Sequence, residues 1–122
     1  MFHIKRLDHV QLCIPHGKED EARAFYTGIL GLKEIEKPEA LKPNGGLWYQ
    51  AGDIQLHLGT EETVTPSKRH PAFEITLLEE TRAYLFLNGV RIKDDIPVPG
   101  QKRFSFYDPF GNRIELLEKT AL

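Results

Sequence analysis

The chain is poor in the features that mark several protein classes. Its 122 residues include one cysteine, Cys13, so no intrachain disulfide framework can form. No apolar run approaches the roughly 18 residues that span a bilayer. The opening stretch, MFHIKRLDHV, lacks the apolar segment of a signal peptide. Basic stretches are short and isolated, KRH at 68–70 and QKR at 101–103, and the net charge is −2. No stripe suited to nucleic acid is present. These absences set the expectation of a cytoplasmic protein with neither a membrane nor a nucleic-acid partner. What is there is ordinary for a soluble fold: 40% hydrophobic and 28% charged residues. The length suits one domain, or two small modules sharing a core.

The chain repeats itself. RLDHVQLCIP (6–15) and KRHPAFEITL (68–77) both read as strands with a histidine near the start. A helical segment follows each, at 18–30 and 79–88, and both open with acids, where the helix dipole favours them. In the first, Ala22, Phe25 and Ile29 recur at helical spacing. Gly31 and Gly89 stand where left-handed caps would end the helices. Three shorter strands follow in each half, near 32–37, 46–51 and 53–59, then near 90–96, 102–107 and 112–118, with prolines and glycines between them. His70 follows His9 by 61 positions, Gly89 follows Gly31 by 58, and Ile114 follows Ile54 by 60. The expected fold is therefore α+β: two β-α-β-β-β modules, at 5–59 and 68–118 with a linker at 60–67, in a single domain over 1–122. One such module is too small to bury its sheet alone. Pairing lets both sheets curl around a shared cavity, with the helices outside.

Strand alternation sorts side chains by face. Val10, Leu12 and Ile14 form an oily face, as do Ile54, Leu56 and Leu58, then Phe73, Ile75 and Leu77, then Ile114 and Leu116. The opposite face collects His9, Gln55, His57, His70, Glu74 and Glu115. A twofold relation between modules would gather His9, His70, Gln55 and Glu115. Two imidazoles and a carboxylate suit one divalent metal ion, whether Zn, Ni, Co, Mn or Fe(II), with open positions for substrate. Gln55 adds a neutral oxygen as a fourth ligand or an outer donor. His57 and Glu74 are candidate acid/base groups. Arg103 points away from Phe104 and Phe106, which aims it into the cavity as a candidate anchor for a carboxylate or phosphate. Trp48 and Tyr49 point to opposite faces, so one of them lines the cavity; Trp48 is carried as the substrate contact. Cys13 faces inward with nothing near it in sequence to activate the thiol.

Taken together, LDHVQLCIP, FYTGILGLKE, HPAFEI and above all DPFGNRIELLE resemble the vicinal oxygen chelate superfamily over about residues 5–118. That superfamily includes glyoxalase I, extradiol dioxygenases, methylmalonyl-CoA epimerase, fosfomycin-modifying transferases and bleomycin-resistance proteins. The resemblance implies metal ligands where His9, His70 and Glu115 stand, a metal-centred cavity and a homodimer. It also shows departures. Gln55 stands where bacterial glyoxalase I has a glutamate, which raises the charge at a bound metal by one and removes a possible base. The 33–52 segment leaves little chain for a glutathione-binding loop. PSKRHPAFEI does not match the phosphate- and potassium-binding loop of fosfomycin enzymes. The expectation is a metal-dependent glyoxalase-like lyase or isomerase acting on a small molecule. The alternatives are a drug-binding protein of bleomycin-resistance type and a dioxygenase.

Overall fold

The computed structural model describes residues 1–120. It contains two compact units, Met1–Val64 and a second from Thr65 onward. Both are four-stranded mixed sheets with a helical connection after the first strand, the βαβββ pattern expected.

In unit one, strand β1 (His9–Pro15) leads into helix α1 (Glu19–Arg23) and a π-helical turn (Ala24–Ile29). Strands β2 (Lys33–Ile35), β3 (Leu47–Ala51) and β4 (Ile54–Glu61) complete the sheet, in the order β1-β4-β3-β2. β1 and β4 are parallel and the other pairs antiparallel. The helix over 18–30 is thus not uniform. Its second half widens, with Leu30 N–H donating to the Phe25 carbonyl five residues back. The wider turn puts adjacent residues Phe25 and Tyr26 both in the core. Tyr49 is fully buried against Tyr26 and bonds the Thr27 hydroxyl at 2.9 Å. Trp48 therefore takes the other face of β3.

A 3-10 helix (Glu39–Asn44) fills the proline-punctuated stretch before β3. It ends in Gly45-Gly46. Gly46 has φ 88°, and a β-carbon there would lie 2.1 Å from the Leu58 carbonyl oxygen. Its N–H donates to Glu19 at 3.0 Å, tying the loop to the start of α1.

In unit two, β5 (Ala72–Glu74) is followed by α2 (Leu78–Leu87), β6 (Arg91–Asp94), β7 (Gln101–Tyr107) and β8 (Arg113–Lys119). The sheet order is β5-β8-β7-β6, again with the outer pair β5–β8 parallel. The strand expected over 68–77 shrinks to three residues. Pro71 has no N–H for a ladder, and Leu77 turns out of line at φ 57°. Leu77 is accordingly exposed rather than part of the oily face. The turn is held by Glu118 on β8, whose two carboxylate oxygens accept the N–H groups of Leu77 and Leu78 at 3.1 Å each. That carboxylate satisfies orphan donors at the α2 N-terminus and complements its dipole. Both expected helix caps hold: Gly31 and Gly89 have φ 70° and 75°. In each unit the helix covers one sheet face, with Ala22, Phe25 and Tyr26 in unit one and Leu78 and Leu85 in unit two buried beneath.

Gly46→Ala should lower the free energy of unfolding by at least about 2 kcal/mol, since left-handed strain and a carbonyl overlap add together. Urea denaturation of the two proteins checks this, with a drop under about 0.5 kcal/mol contradicting it.

Candidate functional site

The polar face of each sheet is built by strand pairing. In unit one, His9 on β1 sits opposite Gln55 on β4, and Trp48 on β3 sits opposite His57. The three rings stack: His57 lies 4.2 Å from His9 and 3.9 Å from Trp48, centroid to centroid, and is nearly parallel to Trp48. His57 is only 5% exposed. Its Nε2 lies 2.9 Å from the Gln55 side-chain oxygen, an oxygen that only accepts, so the ring N–H donates. On the outer side, His9 Nδ1 is 2.9 Å from the Asp8 carboxylate. The N–H there is spent on Asp8, so the neutral ring presents the Nε2 lone pair.

Unit two repeats the device with a different partner. His70 Nδ1 is 2.7 Å from the Lys68 carbonyl, which again fixes the proton on Nδ1. Its Nε2 lies 3.1 Å from Glu115 Oε1. A lone pair and a carboxylate at that distance are two acceptors, and they need a cation between them, either a proton or a metal ion. Arg103 Nη1 reaches the same oxygen at 3.3 Å while its Nε donates to the Ile96 carbonyl. Glu115 is 5% exposed.

The expected equivalence of His9 and His70 needs a correction. Register places Ala72, not His70, opposite Glu115. His70 lies two residues ahead of Ala72, before the strand begins, and its ring reaches back to Glu115. The short β5 is the reason, because Pro71 separates His70 from the ladder. Glu74 is exposed on the same face as Ala72. Arg103 and Arg113 pair with Glu115 and Asp95 instead of with it.

Three contributors were not foreseen from sequence: Asp8, Asp95 and Ser105. Asp95 follows β6, and its side chain is 2% exposed. It accepts from the Ser105 hydroxyl at 2.7 Å, Arg113 at 2.9 Å and Lys93 at 3.0 Å. Burial pushes its carboxyl pKa up, but these donors outweigh it and hold the group below the usual range. Ser105 is fully buried directly opposite Glu115. The network stiffens the strand pair that carries Glu115. A Ser at alternation spacing from Arg103 was the available signal; the loop position of Asp95 carried none.

Among the described residues, no group of three or more His, Cys, Asp or Glu side chains is assembled for a metal. Unit one brings together His9 and Gln55, and unit two His70 and Glu115, so each holds half of the expected set. A shallow cleft of about 220 Å³ in unit one ends at Trp48. Its Arg23 and Lys42 are already paired with Glu34 and with Glu36 and Glu39.

The model of the Glyoxalase/Bleomycin resistance protein/Dioxygenase superfamily matches residues 6–116. The chain belongs to this superfamily. No protein of curated function matches the sequence. Among solved structures, a glyoxalase family protein from Bacillus anthracis is 44% identical, with TM-score 0.92 over 98% of this chain and 99% of that one. A glyoxalase/dioxygenase from Nostoc punctiforme (23% identity, TM-score 0.78, 96% and 92% covered) shares the fold. So does the fosfomycin resistance protein FosX of Listeria monocytogenes (21% identity, TM-score 0.77, 97% and 96% covered). A superfamily member is thus identified by its two modules, while the chemistry of this one rests on its own polar faces. No helix among the described residues is long and apolar enough to cross a membrane.

Burial first, then the neighbouring His9, holds the His57 imidazole below its ordinary value of 6.5. The unfolded chain then binds a proton near pH 6.5 that the folded chain refuses until lower pH. Stability is full above that value and falls as pH drops through the window below it. Urea midpoints of metal-free protein should decline across that window, and more gently in His57→Phe. A wild-type midpoint insensitive to pH there would contradict the assignment.

Proposed function

We propose that the chain is a metal-dependent glyoxalase-like enzyme of lyase or isomerase type, acting on a small molecule that offers two adjacent oxygens. The observation that carries this reading is the shared commitment of the two histidines. Both spend Nδ1–H on an oxygen acceptor and present Nε2, the arrangement that metal-ligating histidines adopt. In His70 that lone pair faces the Glu115 carboxylate at 3.1 Å, an arrangement that a cation relieves. His9, His70 and Glu115 would hold the ion and Gln55 would offer an amide oxygen. The reading stands or falls on whether one ion draws on both half-sets, in one chain or in a homodimer. When bound, a divalent ion supplies Lewis acidity toward the substrate oxygens.

The remaining residues divide the other tasks. Glu74 is a carboxylate on the site face with no ion pair among the described residues, which suits it to accept a substrate proton. His57 was the other candidate, but its Nε2–H is spent on Gln55. Arg103 holds Glu115 in the metal-free state. With Glu115 as a metal ligand, the guanidinium would be available to pair with an anionic substrate group. Trp48, between the His57 ring and the cleft, offers an apolar wall.

A second reading, a small-molecule binder without chemistry, is favoured by one fact: no three such ligands are assembled among the described residues. Metal content separates the two. Protein purified without added ions should carry about one equivalent of a divalent metal, lost in His70→Ala. Asp8→Asn, which removes only the charge behind His9, should weaken affinity by about 10- to 100-fold. No uptake by the wild type favours the binder.

A further inference from the structure

We infer that His57 is a positioning residue that sets the Gln55 amide, donating its Nε2–H to the amide oxygen from a ring clamped between Trp48 and His9. The inference deepens the metal reading above and rests on it for its consequence. Glutamine has two ends of nearly equal size and opposite character, so something must decide which end lies where. For Gln55 the deciding contact is the 2.9 Å bond to His57. The donor in turn is fixed by packing. Trp48 covers one ring face at 3.9 Å and 3°, and His9 covers the other at 4.2 Å and 19°. Strand register supplies the geometry: Trp48 is the cross-strand partner of His57, and His9 is the partner of Gln55, two places along β4.

The arrangement leaves the amide oxygen with a second lone pair, so it can accept from His57 and still face a cation. Unit two shows why the device belongs to unit one alone. Its carboxylate, Glu115, has two equivalent oxygens and no wrong end, and Leu117 occupies the place corresponding to His57. The Arg103 guanidinium holds Glu115 instead. A neutral ligand needs an orienting donor where a charged one needs only a counter-ion. The same contact removes His57 Nε2 from acid/base work.

Two measurements test this. In metal-free protein, ring nitrogen chemical shifts should show His57 protonated on Nε2, and Gln55→Ala should move that resonance. His57→Phe keeps a flat ring in the stack and deletes the donor. Competition titration with zinc should show about 10-fold weaker binding in His57→Phe, with the His57→Phe/Gln55→Ala double variant no weaker than Gln55→Ala. A His57 protonated on Nδ1, a resonance indifferent to Gln55→Ala, or losses that multiply in the double variant would each overturn the inference. So would unchanged zinc affinity in His57→Phe accompanied by lost activity, the pattern of a general base. If the wild type binds no zinc, the metal reading fails, and the nitrogen shifts still decide whether His57 sets the amide.

Discussion

In each module the first strand runs parallel to the last, and this pairing is the constraint from which the polar faces follow. A parallel pair needs a crossover, which is why a helix stands between β1 and β2 and between β5 and β6. The helix covers one face of the sheet and makes it apolar. The other face is left to polar side chains, and paired strands put alternate residues there in rows. His9, Gln55, His57 and Trp48, drawn from three strands, are neighbours for this reason. The same holds for Ser105, Glu115 and Arg103.

The two faces are built on one plan with different chemistry. Unit one uses neutral groups, a stacked set of three rings and an oriented amide. Unit two uses charge, a carboxylate paired with a guanidinium and faced by an imidazole, with a buried aspartate organising the strand beside it. The difference follows from the residue at one repeated position, glutamine in β4 and glutamate in β8. An amide needs its end chosen and a carboxylate needs its charge balanced, and the surroundings of Gln55 and Glu115 meet those separate needs.

Much of this was legible in the chain. The repeat, the alternation and the glycine caps led to the βαβββ order. The details that escaped share a cause: they depend on contacts between segments distant in sequence. The widened second half of the first helix goes with Tyr26 packing on Tyr49 from β3. The shortening of β5 follows from Pro71 and from Glu118 catching the turn at Leu77. Asp95 falls in the stretch read as strand over 90–96 but stands just past β6, and only the fold lays Ser105 and Arg113 against it. The offset of His70 from the register equivalent of His9 was hidden because the sequence spacing of 61 lies so near the repeat of 60.

The amino-acid order by itself determined the pattern: which residues alternate, where helices begin and end, and which side chains lack an apolar reason to be buried. Those properties are set by the two-residue period of a strand and the dihedral limits of glycine and proline, which act locally. Tertiary structure alone decided which nitrogen of each histidine is free and which end of Gln55 is held. The bonding partners are close in sequence, Asp8 to His9, Gln55 to His57 and Lys68 to His70, but the rings are set beside them by groups from elsewhere, Trp48 and His9 about His57 and Glu115 beside His70.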